Sequence, residues 1–197
     1  TDNNGVIYQT GDSIDITNIV GQQFYHLTNT GQNQFMLSHH KHYDYEVNET
    51  YKIRAITLNT GTLTINIASA DVPVSSTTTI ESMHSVAYNP VVSKAVMTYT
   101  TSSVINYVVI NQTGLTFNIG TEFLLWAENA SNGLNICSES ATDTAIVYVG
   151  GPTQIRGCVV LGMEMMLGTA VSGPATRSYR ALYHAATGNL LVCCDEK

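Results

Sequence analysis

Positive charge is what this chain has least of. Only 8 of its 197 residues are Lys or Arg, against 15 Asp and Glu, for a formal net charge of −7. Phosphate recognition needs clustered cations that release counterions. Here the basic residues stand singly, so nucleic acid is excluded as a partner, and an anionic membrane leaflet for the same reason. No run of about 18 apolar residues is present to insert into a bilayer. No stretch carries a sustained 3.6-residue apolar period with caps, so helix should be nearly absent. Charged residues make up 12% of the chain, about half the usual share. Thr, Asn, Ser and β-branched residues fill the space, which suits an all-β domain.

Catalytic patterns are missing too. There is no Gly-x-Ser-x-Gly elbow, no Gly-rich phosphate loop and no His-Glu-x-x-His pair. Glu139 with Asp143, and Asp12 with Asp15, are turn carboxylates that read as solvated and locally hydrogen-bonded. Glycoside hydrolysis would need a sugar cleft between such a pair. A non-enzymatic protein is expected. The four cysteines are too few for a disulfide framework at this length. Buried free thiols are expected, with Cys137 and Cys158 on neighbouring strands of one sheet. Met163–Met166 reads as packing, and Trp126, in a linker with Leu124 and Leu125, as a plug between sheets.

What the chain does contain is a repeated phrase. Alternating apolar residues run into a Thr-Gly turn and out again in Tyr51–Ile67, Ile105–Ile119 and Val6–Thr17, turning at Thr60-Gly61, Thr113-Gly114 and Thr10-Gly11. Arg156–Gly168 is a degenerate copy that turns at Gly162. A second hairpin goes with each. Ser85–Tyr99 matches Arg180–Cys194 without a gap, and His26–His39 and Asn135–Val149 share the outline. With Gln34, Lys94, Thr144 and Asn189 equivalent, the spacings are 60, 50 and 45 residues. Periods of this length mark stacked repeats.

Each unit is two hairpins, and the last lacks its second hairpin unless Val6–Thr17 supplies it. A four-stranded sheet cannot bury its faces alone, so such units pack radially. The expected fold is therefore all-β: a four-bladed β-propeller in one domain, 1–197, closed by N-terminal strands that complete the last blade. The blades would span about 24–67, 82–123, 134–168, and 179–197 joined to 5–17. The alternative is a β-sandwich or jelly roll, which also gives short alternating strands at regular spacing.

One segment differs chemically, His39-His-Lys-His-Tyr-Asp-Tyr-Glu46, which fills a connection where the other units carry short turns. If extended, it puts His40, His42 and Asp44 on one side and Lys41, Tyr43 and Tyr45 on the other. Two functional readings follow. His40 and His42 are candidate ligands of a transition metal, in a His-x-His pattern that resembles the iron sites of trimeric phage fibres and spikes. Alternatively His40, His42, Tyr43, Asp44 and Tyr45 form a ligand-binding loop whose rings stack on a sugar or another apolar surface. The plain reading is a polar surface loop, since an open two-His site is weak without fixed supporting hydrogen bonds. No resident cofactor is otherwise expected.

The phrase VAYNPVVSKAVMTYT…INYVVINQTGLTFNIGTE resembles the blade repeat of bacteriophage tail-fibre and receptor-binding proteins. There an AYD…NKVVVAY hairpin precedes a G-T-x-TFG hairpin. The likeness covers 82–123 well, 24–67 and the closing unit less well, and 134–168 weakly. It implies an exposed virion component at the particle surface, extracellular, that binds a host-surface glycan or protein. Alternatives are a structural capsid or fibre decoration protein touching other virion subunits, and a soluble lectin. A lectin should repeat its binding residues between blades, yet His39, Tyr99, Val149 and Cys194 occupy one equivalent strand end. Symmetric association with further copies of the chain stays open.

Overall fold

The computed structural model describes residues 22–31, 33–42, 50–59, 64–67, 70–75, 84–101, 104–126, 135–138, 145–150, 154–172, 179–184, 187 and 189–194. Among them there is no helix, and every sheet is antiparallel. The segment Val6–Thr17 lies outside the described residues.

The first sheet is a meander of β1 (Gln22–Gly31), β2 (Gln34–His42), β3 (Lys52–Asn59) and β4 (Thr64–Ile67), with the short β5 (Val72–Pro73) also on β3. The second runs β6 (His84–Asn89), β7 (Lys94–Thr101), β8 (Val104–Thr113), with β9 (Thr116–Ile119) and β10 (Phe123–Trp126) both on β8. The third holds β11 (Asn135–Ser138), β12 (Ala145–Gly150), β13 (Gln154–Leu161) and β14 (Glu164–Ser172). The fourth pairs β15 (Tyr179–His184) with β16 (Asn189–Cys194). The expected hairpins are these strands. Gln34, Lys94 and Asn189 each open the second strand of their sheet, and Ala145 does so one residue past Thr144.

Two expectations are corrected. Leu124–Trp126 is not a linker: it is part of β10, paired to Tyr107, Asn106 and Ile105 of β8. Cys137 and Cys158 are not on neighbouring strands, because β12 lies between β11 and β13. Cys158 is buried.

Turn chemistry explains the register. β8–β9 and β13–β14 turn through two residues, Gly114-Leu115 and Gly162-Met163. In both, the first turn residue is in the left-handed region, φ +59° and +63°, where glycine is unstrained. At the start of β2 and β7 the same region is occupied by Asn33 and Ser93, φ 61° and 53°.

The core lies between sheets. Strand β8 is buried on both faces from Ile105 to Ile110, because alternate residues enter two different clusters. Met97, Tyr99, Val108 and Ile110 pack with Met36, Tyr51 and Ile53 of the first sheet. Val96, Tyr107 and Val109 pack with Cys158, Val160 and Met165 of the third. The second sheet is thus a filling between two others, with strands that read as continuous apolar runs. Truncating a fully buried Met97 to Ala would cost about 2–5 kcal/mol. Met163 also packs against the second of these clusters, whereas Met166 is exposed. First strands neighbour one another in order: β1 beside β6, β6 beside β11, and β11 beside β15.

Polar bridges stitch the same interfaces. Thr30 Oγ1 donates to Gln112 Oε1 at 2.7 Å between the first and second sheets, and Tyr107 Oη donates to the Met165 carbonyl at 3.2 Å between second and third. The third sheet comes so close that a Cβ on Gly120 would stand 2.7 Å from the Met163 carbonyl oxygen.

Candidate functional site

At one end of the sheets the described hairpins turn within two to four residues, as at Gly114-Leu115, Gly162-Met163 and 90–93. The other carries the β2–β3 connection and the links between sheets. Thr101 pairs with Val104 across two residues and Gly150 with Gln154 across three, whereas β2 and β3 are joined through the long 43–51 stretch. The His-rich segment is therefore the longest connection of its kind among the described sheets.

Its residues fall in different settings. The segment does not open as a loop: β2 continues through His42, with His40 opposite Phe24 and His42 opposite Gln22, alternate residues on one side of the strand. His40 is not at the surface. It is 1% exposed and faces the second sheet, its ring 4.6 Å from that of Tyr51. Tyr43, Asp44 and Tyr45 lie outside the described residues. Among the described residues no group of three His, Cys, Asp or Glu could hold a metal ion.

Around His40 the structure gathers an aromatic and polar cluster. The Tyr51 ring meets His84 edge-on at 5.4 Å and Tyr99 at 5.0 Å, and its hydroxyl donates to the Thr100 carbonyl at 3.1 Å. Tyr99 Oη donates to Glu122 Oε2 at 2.7 Å, as does Ser75 Oγ, while Asn106 Nδ2 donates to Oε1 at 2.9 Å. Burial first, then the Glu122 carboxylate, holds the Tyr99 phenol well above its usual range. It stays a donor at any working pH.

A second carboxylate on the opposite side of the first sheet is organised in the same way. Asp71 Oδ1 receives His39 Nε2 at 2.9 Å and Arg54 Nε, and Arg54 Nη2 reaches Oδ2 at 3.1 Å, a bidentate pair. Burial alone would raise the Asp71 carboxyl, but the hydrogen bonds from Arg54 and His39 bring it below its ordinary value. His39 is only 2% exposed, and burial lowers its basicity despite Asp71. Its Nδ1 has no hydrogen-bond partner among the described residues. Protonation would create a buried donor there with nothing to receive it.

The two carboxylates are equivalents. His39 lies opposite Tyr25 and Lys52, and Tyr99 opposite His84 and Asn106. Asp71 directly precedes β5 and Glu122 directly precedes β10, the two short strands at the outer edges. Each carboxylate accepts a hydrogen bond from the sixth residue of its sheet's second strand. Sequence reasoning matched His39 with Tyr99 but missed the acids. The usable signal was an acid three or four residues past Ile119 and Ile67.

No family model, curated protein or solved structure matches this chain.

Proposed function

We propose that the chain is a four-bladed β-propeller that serves as a non-enzymatic binding module on the surface of a bacteriophage particle. It recognises a glycan or protein of the host surface. The observation that carries the reading is the double burial of the second sheet. One sheet packs on each of its faces, and the first strands follow one another in order. Radial packing of blades has this character, whereas a two-sheet sandwich buries one face of each sheet. The likeness of 82–123 to tail-fibre blade repeats supports the virion setting.

Within that frame the end bearing the long connections is the binding end, because binding residues concentrate on loops held by a rigid scaffold. The His42–Glu46 stretch is its most distinctive part. The test is binding of the purified, labelled protein to a panel of bacterial cells and surface polysaccharides, beside a Tyr43→Ala/Tyr45→Ala variant. Saturable binding to a narrow set, lost in the variant, is the expected result. A well-folded protein that binds none of them would overturn the adhesin reading and favour a decorating role between virion subunits.

A further inference from the structure

We propose that the outer edge of β14 is a pairing site for a second copy of this chain, joined antiparallel about a two-fold axis near Met166. An open sheet edge is a row of unmatched backbone donors and acceptors, and proteins ordinarily protect it. The first two sheets do so. Each divides its outer edge between two short strands. β4 and β5, of four and two residues, share β3, and β9 and β10, of four residues each, share β8. Pro73 blunts the first of these edges further.

The third sheet is built differently. β14 runs for nine residues, Glu164–Ser172, and pairs with β13 from Leu161 back to Gln154. Among the described residues no strand lies on its outer side. Gly168 has only backbone atoms to expose and is exposed, as are Glu164 and Thr169. Solvent therefore reaches the main chain itself.

The composition of this edge is that of an interior strand. Glu164 is the single charged residue between Arg156 and Arg177. The stretch between Lys94 and Glu122 carries no charge either, but there β7 and β8 are buried. β14 buries one face only: Met165 packs towards the second sheet with Cys158 and Val160. On the other face Met166 is 58% and Leu161 54% exposed.

Charge selects the partner and the direction. Two chains of net −7 repel each other, so they meet most easily where charge is least. Parallel pairing in register would stack Glu164 on Glu164. An antiparallel pair about Met166 sets each Glu164 opposite a Gly168 and brings the two Met166 side chains together on the exposed face. The ladder is short, because Gly168 and Thr169 together stand against Gly157, a bulge that bends the edge away beyond them. Ladders of four residues hold β4 and β9 as well. Pairing at this edge is independent of what the binding end recognises.

The test is sedimentation of the full chain over a range of concentrations, beside Met166→Lys and Leu27→Lys. Leu27 is equally exposed, at 58%, but lies on the first sheet. The expected result is a reversible dimer in the wild type and in Leu27→Lys. Met166→Lys should weaken it at least tenfold while keeping the wild-type circular dichroism spectrum. Hydrogen exchange of the wild type, which needs no variant to fold, should show slower exchange within 164–168 as concentration rises. A wild type that stays monomeric throughout overturns the proposal. So does a dimer that survives Met166→Lys or is lost as readily in Leu27→Lys, and so does exchange within 164–168 that ignores concentration.

Discussion

At the scale of single residues, the clearest strain sits at Ser93. The residue before the second strand is Asn33 in the first sheet, Ser93 in the second and Gly188 in the fourth, and Asn33 and Ser93 have positive φ. Asn, Asp and Gly tolerate that region; Ser has no such advantage. The left-handed region costs an ordinary residue about 1–2 kcal/mol, and glycine's extra chain entropy takes back about 0.5–1 kcal/mol. Ser93→Gly should therefore stabilise the protein by up to about 1 kcal/mol in urea unfolding, and Ser93→Val should destabilise it. A loss of stability in the glycine variant would contradict the turn assignment.

His39 makes a second residue-scale prediction. Its folded-state value lies below 6.5, so in acid the unfolded chain takes up that proton first. Stability is therefore complete above pH 6.5 and falls as pH drops below it. Asp71, lowered from 3.8, adds a loss of the same sign at still lower pH. Melting temperature should decline between pH 7 and pH 5, and His39→Gln should flatten that decline. An unchanged slope in the variant would show that another group dominates.

At the scale of elements, the hairpins were legible and the edge strands were not. Alternation and Thr-Gly turns mark β3–β4 and β8–β9 locally, and the gap-free match of Ser85–Tyr99 with Arg180–Cys194 survives as two hairpins that each enclose four residues. Strands β5 and β10 are invisible to such reasoning. They are two and four residues long, and Pro73 argues against a strand except at an edge. The carboxylate devices were hidden for a related reason: Asp71 meets a His 32 positions earlier, and Glu122 a Tyr 23 positions earlier. His40 read as a surface ligand because its neighbours are polar. Its burial is a consequence of strand alternation aligned with Met36, which no local pattern displays. Gly120 tests the packing of elements. A methyl there meets backbone carbonyls of Met163 and Val109, which cannot swing aside, so Gly120→Ala should cost about 1–3 kcal/mol. A neutral effect would mean that the third sheet sits further away.

At the scale of the whole molecule, four antiparallel sheets follow one another along the chain, and interior packing runs from first to second and from second to third. Among the described residues the fourth has two strands, β15 and β16. On the proposed propeller, the same repeat phrase at Val6–Thr17 would complete it and close the ring on the first sheet. Such closure makes the two ends of the chain one cooperative unit. The most direct measurement is the thermal unfolding of a variant lacking Thr1–Thr17. A closed ring predicts loss of the single cooperative transition, since half a blade is gone. A sharp transition at the wild-type temperature would contradict it.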